Sequence, residues 1–195
     1  MKIMDPTGDW DDPPFLEFQT PRLELRDLRA GDEEFLARLD SDMAVMQYIH
    51  SGPLTPEAAL KYARVQVDTA PYRRNWDKWI VVLQDRETSV GWVELAKLSQ
   101  PRRDDLAIGY EFAPEHWGHG YATEAAGCVL EYAFTELELD RLAAIARPEN
   151  TASLRVLEKL GFRRVGKRRD EGGKMCGEYR VSVEEWRSRP LKRAG

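Results

Sequence analysis

Cysteine is scarce in this chain: Cys128 and Cys176 are the only two in 195 residues. That excludes a disulfide framework and leaves two reduced, packed thiols. Histidine is scarcer still relative to its uses, with only His50, His116 and His119. His116 and His119 lack the cysteines or third ligand that would complete a zinc site, so no metal is expected. No apolar run reaches the length of a membrane span. Met1 to Asp12 lacks the basic-then-apolar order of an export signal. A cytoplasmic location is the resulting expectation. Nor is there a surplus of positive charge. Lys and Arg number 29 against 34 Asp and Glu, for a net charge of −5, which gives no general attraction to nucleic acid. One stretch runs against this balance: Arg163, Arg164, Lys167, Arg168 and Arg169 crowd together. It reads either as a solvated hairpin face or as a rim for phosphates or an acidic substrate.

What is present suits one domain. Hydrophobic residues are 42% and charged residues 32% of the chain. A chain of this size buries roughly 70% of its unfolded surface without help from metals or disulfides. Residues 1–19, rich in Asp, Gly and Pro at their start, read as a flexible leader. Residues 20–187 read as the domain and 188–195 as a flexible tail.

Periodicity supplies the elements. Arg22 to Arg26 alternates charged and apolar, as a half-buried strand does. Asp32 to Leu39 reads as a short helix. Thr55 caps a second helix with Pro56 at its first position, and Pro71 stops it. Trp79 to Leu83 and Val90 to Leu95 read as adjacent strands, with a turn from Asp85 to Ser89. Pro101 to Asp105 is a polar connection. Leu106, Ile108, Tyr110 and Phe112 recur with period two, after which Ala122 to Leu137 shifts to spacings of three and four, a long amphipathic helix. Arg141 to Arg147 is a strand. Asn150 caps a helix to about Leu160, Gly161 ends it, and Phe162 to Val183 is a hairpin turning at Gly172 and Gly173. Such alternation predicts an α/β or α+β sheet covered by helices.

The passage from Tyr110 to Glu124 carries the chemistry. A strand runs into a turn with Gly118 and Gly120, and the long helix starts at once. The first turn of a helix has unpaired N–H groups and a positive end, and glycines let a ligand approach them. This is a phosphate cradle. No lysine follows Gly120 as a Walker loop requires, and Thr123 stands where a dinucleotide fingerprint needs its third glycine.

Trp117-Gly118-His119-Gly120-Tyr121-Ala122-Thr123-Glu124-Ala125 resembles the pyrophosphate loop of the GCN5-related N-acetyltransferase (GNAT) superfamily. Trp117 occupies the place of the general signature's Gln or Arg. Thr20 to Arg26, Ile108-Gly109-Tyr110 and the series Asn150, Ser153, Gly161, Phe162 resemble the branch of ribosomal-protein N-terminal acetyltransferases. The resemblance covers most of Thr20 to Val183. It implies a mixed, strongly twisted central sheet flanked by helices, with the fourth and fifth strands splayed. It implies acetyl-CoA as cofactor, with pantetheine paired to backbone near Phe112 and Ala113. Backbone from Gly118 through His119, Gly120, Tyr121 and Ala122 to Thr123 would hold the pyrophosphate. It also implies a monomer or homodimer.

Acetyl transfer needs a neutral amine; an α-amine has a pKa near 7.7–8.0, a lysine amine near 10.4. The resemblance puts Ser153 near the coenzyme sulfur as hydrogen-bond donor to the leaving thiolate. A family tyrosine four residues later is Leu157 here, which donates nothing. Asn150 can cap its helix and orient pantetheine or water. Glu94 and Glu111 compete as base, Glu94 preferred on the acceptor side. Alternation sets Glu111 opposite Tyr110 and Phe112. Met46, Tyr48, Tyr72, Arg73, Arg74, Trp76 and Trp79 are expected around the acceptor. The resemblance suggests a protein N-terminus as acceptor. A small amine such as a polyamine or aminoglycoside, and a non-catalytic acyl-CoA sensor, are the alternatives.

Overall fold

The computed structural model describes residues 17–49, 52–70, 78–84, 88–98, 106–170 and 172–189. The expected leader up to residue 16, His50, the Pro71 stop, Tyr72, Arg73, Arg74, Trp76, most of the first hairpin turn, the connection at 101–105 and the tail from residue 190 lie outside the described residues.

Alternation in β2 (Leu23–Asp27) turns Leu23 and Leu25 fully inward. A two-residue strand, β1 (Phe18–Gln19), pairs antiparallel with β2, so ladder pairing begins inside the segment read as a leader. Phe18 has a reason to stay: its ring lies 5.6 Å from Trp79 and 5.0 Å from Tyr132, centroid to centroid. Helices α1 (Glu33–Ser41), α2 (Met43–Met46) and α3 (Pro56–Thr69) follow. Asp32 stands at the α1 N-cap but its carboxylate is taken by Arg26, at 2.8 and 2.7 Å, and accepts from the Arg29 N–H. Asp42 caps α2 and Thr55 caps α3.

Three antiparallel neighbours come next: β3 (Lys78–Leu83), β4 (Thr88–Lys97) and β5 (Leu106–Phe112). A single 3-10 turn, Pro114–His116, leads toward α4 (Tyr121–Thr135). Then come β6 (Arg141–Ala146), α5 (Thr151–Lys159), β7 (Arg163–Arg169), β8 (Met175–Ser182) and α6 (Val183–Arg187). The strand order is β1-β2-β3-β4-β5-β6-β8-β7. Every pairing is antiparallel except β5 with β6.

The two faces of the sheet bury different helices. Leu25, Val81, Val93, Ile108 and Phe112 share one core with Ala125, Val129 and Leu130 of α4 and Leu157 of α5. Ile80, Val82 and Trp92 share the other with Leu36 and Leu39 of α1 and Ala59 and Ala63 of α3. This is a mixed sheet flanked by helices on both faces, as the sequence predicts. The fourth and fifth strands of that prediction are β5 and β6. They pair at one position only, Ala107 with Ala143, and then part.

Candidate active site

A cleft of about 2030 Å³ opens where β5 and β6 part. At one end lies the start of α4. Its N-cap is Gly120, at φ 80°, and no side chain caps the helix. Gly118, at φ 79°, has nothing within 4 Å of where a Cβ would sit. Within the described residues, the N–H groups of Tyr121, Ala122 and Thr123 meet no hydrogen-bond acceptor. These are the orphan donors of a helix start, and all three residues line the cleft. The loop is pinned from outside. Arg22, just ahead of β2, pairs with Glu124 and donates to the His119 carbonyl at 3.0 Å, while its guanidinium lies over Tyr121. His119 stacks on Tyr121 and does not line the cleft. Trp117 donates its indole N–H to the Phe112 carbonyl at 2.6 Å, tying the loop to the end of β5.

The strand edge offers backbone groups in a fixed phase. In an antiparallel ladder, successive residues point their N–H and C=O to opposite sides. Ala113 N–H donates to the Val90 carbonyl, so Ala113, Glu111 and Gly109 face β4. Tyr110 and Phe112 therefore face β6, which has already moved away. The polar edge toward the cleft thus comes from Tyr110 and from the N–H of Phe112, whose carbonyl is taken by Trp117. Ala113, named with Phe112 from the sequence, has its N–H engaged and its side chain buried in the second core.

Across this opening stands the start of α5. The Asn150 side chain accepts the Ser153 N–H at 3.0 Å, closing the first turn. Losing that cap costs about 1 kcal/mol. Asn150→Ala is therefore expected to lower the melting point by a few degrees, readable by calorimetry. The Ser153 hydroxyl lies 3.0 Å from the phenol oxygen of Tyr110, which also donates to the Ser153 carbonyl at 3.2 Å. Burial raises the Tyr110 phenol to about 12, against a smaller pull from Ser153, so it keeps its proton. Sequence reading missed this pair: the residues are 43 apart, and alternation tells only which face Tyr110 takes.

At the far end, on the other face of β5, Glu111 and Glu94 meet Asp40 from α1, Lys78 from β3 and Trp92 from β4. Lys78 lies 3.7 Å above the Trp92 ring, donates to Gln66 at 2.8 Å and stands 3.6 Å from Glu94. Asp40 is 8% exposed, and one of its oxygens is sealed from water with no hydrogen-bond partner. Glu111 Oε2 is in the same condition. Loss of water raises the Glu111 carboxyl to about 8; Lys78 pulls it down, Asp40 and Glu94 push it up, and a Trp92 hydrogen bond pulls it down. Burial raises Asp40 as well, with Lys78 opposing and Glu94 adding to it. Asp40 and Lys78 were not picked from sequence, because no pattern on a helix shows which distant strand face it covers.

The cleft brings together Glu94, Glu111, Phe112, Gly118, Gly120, Tyr121, Ala122, Thr123, Asn150 and Ser153. Met46 and Tyr48 line it too, whereas Trp79 is a core residue at 2% exposure and walls nothing. Of the basic stretch on β7, only Arg168 and Arg169 border the cleft. Among the described residues, no three His, Cys, Asp or Glu side chains gather as a metal site, and no helix is long and apolar enough to cross a membrane.

Comparison with known proteins agrees with this geometry. The profile of the acetyltransferase (GNAT) domain matches residues 22–163. The uncharacterized N-acetyltransferase YnaD of Bacillus subtilis is 33% identical, over 88% of this chain and 99% of its own length. The spermidine N(1)-acetyltransferase of Escherichia coli is 31% identical over 83% of each chain. A crystal structure of a GNAT-family acetyltransferase from Bacillus anthracis superposes with a TM-score of 0.74 at 29% identity, covering 87% of this chain and 99% of that one. The relatives span several kinds of acetyltransferase, so the narrower likeness to the ribosomal-protein branch is not singled out.

Proposed function

This chain belongs to the GNAT acetyltransferases, and on that premise we propose that it moves acetyl from acetyl-CoA to a primary amine that arrives as a cation. The observation that carries the reading is one cleft with two chemically opposite ends, orphan N–H donors at α4 and, at Asp40 and Glu111, carboxylates each with one oxygen sealed from water.

The residues fit the coenzyme. The α4 N–H groups and Gly118 form a cradle without side chains where phosphates would sit. Arg155 and Lys159 of α5 add positive charge along the same cleft. Phe112 and Tyr110 present a strand edge for an extended amide chain. When bound, acetyl-CoA supplies the acetyl group as an activated thioester. The chain's own residues do the rest. A Phe112 backbone N–H can stabilise charge on the acyl oxygen. Ser153 offers a hydroxyl to the departing sulfur. Glu111 accepts the proton that the amine must lose, directly or through water, with Glu94 and Asp40 holding the ammonium beforehand. Glu111 has the stronger claim as base because Glu94 is already engaged with Lys78.

At the carboxylate end of the cleft, Asp40, Glu94 and Glu111 outnumber Lys78, which favours a small cationic amine as acceptor. A relative that acts on spermidine supports the same class. The second reading, a protein N-terminal α-amine, is supported by its lower pKa, which asks less of the base. A panel separates them: spermidine, an aminoglycoside, a lysine peptide and Ala- and Ser-initiated peptides, each incubated with acetyl-CoA and weighed by mass spectrometry. Acetylated spermidine or aminoglycoside is expected. Acetylation confined to peptide N-termini would replace the first reading with the second, and a folded protein without affinity for coenzyme A would end both.

A further inference from the structure

The Tyr110–Ser153 contact is more than packing. Resting on the acetyl-transfer reading above, we infer that Tyr110 is a positioning residue: its phenol fixes the Ser153 hydroxyl so that the serine's proton points at the coenzyme sulfur.

The argument is a count of protons. Ser153 has one hydroxyl proton. Its backbone N–H is already given to Asn150. Tyr110 also has one proton, and the Ser153 carbonyl at 3.2 Å competes for it with the nearer Oγ, at 3.0 Å. A hydroxyl with no donor beside it swings freely and shares its proton with whichever carbonyl is nearest, commonly one turn back in the helix. When Tyr110 donates to Oγ, that lone pair is filled and the serine proton is released in another direction. Ser153 lines the cleft at the mouth of α5, so the opening is there to receive it. Tyr110 comes from β5 and Ser153 from α5, the two elements that bound the opening, and so the contact fixes the donor relative to both walls. Burial keeps the phenol protonated at any working pH, which suits a permanent donor rather than an acid. In the transfer, the C–S bond breaks with its electron pair on sulfur. The proton that sulfur finally carries is the one the amine sheds. Ser153 and Tyr110 contribute hydrogen bonds and end with the protons they began with.

The test needs no acceptor. Coenzyme A is titrated onto the protein by calorimetry from pH 6 to 10. A donor aimed at sulfur makes the thiolate bind about tenfold tighter than the thiol, so affinity rises with pH and the bound thiol titrates about one unit below its free value near 8.5. Desulfo-coenzyme A is the control and shows no such rise. In Tyr110→Phe the preference for thiolate falls to about twofold or less, as it does in Ser153→Ala, and the double variant loses nothing further. With the fastest acceptor of the panel, kcat of Tyr110→Phe falls about tenfold while affinity for desulfo-coenzyme A is unchanged.

Equal thiolate preference in parent and Tyr110→Phe would overturn the inference, as would losses that multiply in the double variant. If Tyr110→Phe does not fold, 3-fluorotyrosine placed at position 110 keeps the shape and strengthens the donor. Thiolate preference then rises above the parent's, and an unchanged value counts against the proposal. A parent that binds no coenzyme A at all removes the acetyl-transfer reading itself, whereas a parent that binds it with an unshifted thiol removes only the role of Tyr110.

Discussion

Gly120→Glu is expected to weaken coenzyme A binding roughly 100-fold or more in a protein that still folds. Three effects add. Gly120 sits at φ 80°, where a side chain brings about 1–2 kcal/mol of strain. Its Cα borders the cleft beside the orphan N–H groups of Tyr121, Ala122 and Thr123, so a carboxylate there occupies the place where a phosphate would be bound and repels it. A Cβ at this position would also lie 3.6 Å from the guanidinium of Arg22. The new carboxylate competes with Glu124 for that cation and loosens the clamp on the loop. Gly120→Ala carries the strain without the charge and is expected to lose about tenfold or less. Calorimetric titration with coenzyme A, beside a thermal melt to show folding, gives the answer. A folded Gly120→Glu protein with the parent's affinity would move the phosphate site elsewhere.

Glu111→Gln separates catalysis from stability, because the two should change in opposite senses. Removing a general base costs on the order of 100-fold in kcat. The parent's rate should climb as pH rises toward about 8, where Glu111 becomes a carboxylate, and the glutamine protein should lack that limb. For stability the sign reverses. The Glu111 carboxyl titrates near 8 in the fold, above its ordinary 4.5. A group raised in this way stabilises the fold while protonated. Its contribution is full below about 4.5 and is lost as pH rises through about 8. Glutamine mimics the protonated form at every pH. The variant should match the parent near pH 5 and exceed it by about 2–4 kcal/mol near pH 9. Denaturant melts at the two pH values test this. Equal stability at both would mean that the Glu111 carboxyl is not strained by its surroundings.

Much of this architecture could be read from periodicity. The alternation of β2 and β5, the three-and-four spacing of α4 and the caps Thr55 and Asn150 all act within a few residues, so sequence displays them directly. The glycine turn before α4 was legible for the same reason, since a positive φ and a bare helix start are local demands. Contacts across the fold were not. β1 and α2 are too short for a period to show. Asp32 reads from sequence only as the start of a helix, yet the buried Arg26 claims its carboxylate. Arg22 meets Glu124 102 residues away, and Asp40 reaches the carboxylates of β4 and β5 only because α1 lies on that face of the sheet. Local pattern fixes which way a side chain points; the meeting of distant faces is settled by the packing of the whole chain.

The single rung joining β5 to β6 has one more consequence. Hydrogen bonding alone leaves the sheet as two plates, β1 to β5 and β6 with β8 and β7, fastened at Ala107 and Ala143 and otherwise held by the helices above. An extended ligand chain laid along Tyr110 and Phe112 would act as the missing strand and rivet the plates together. The gain is set by mass action and reaches about 2.7 kcal/mol when free ligand is a hundred times its dissociation constant. A protein built this way would grow harder to unfold as the concentration of such a ligand rises.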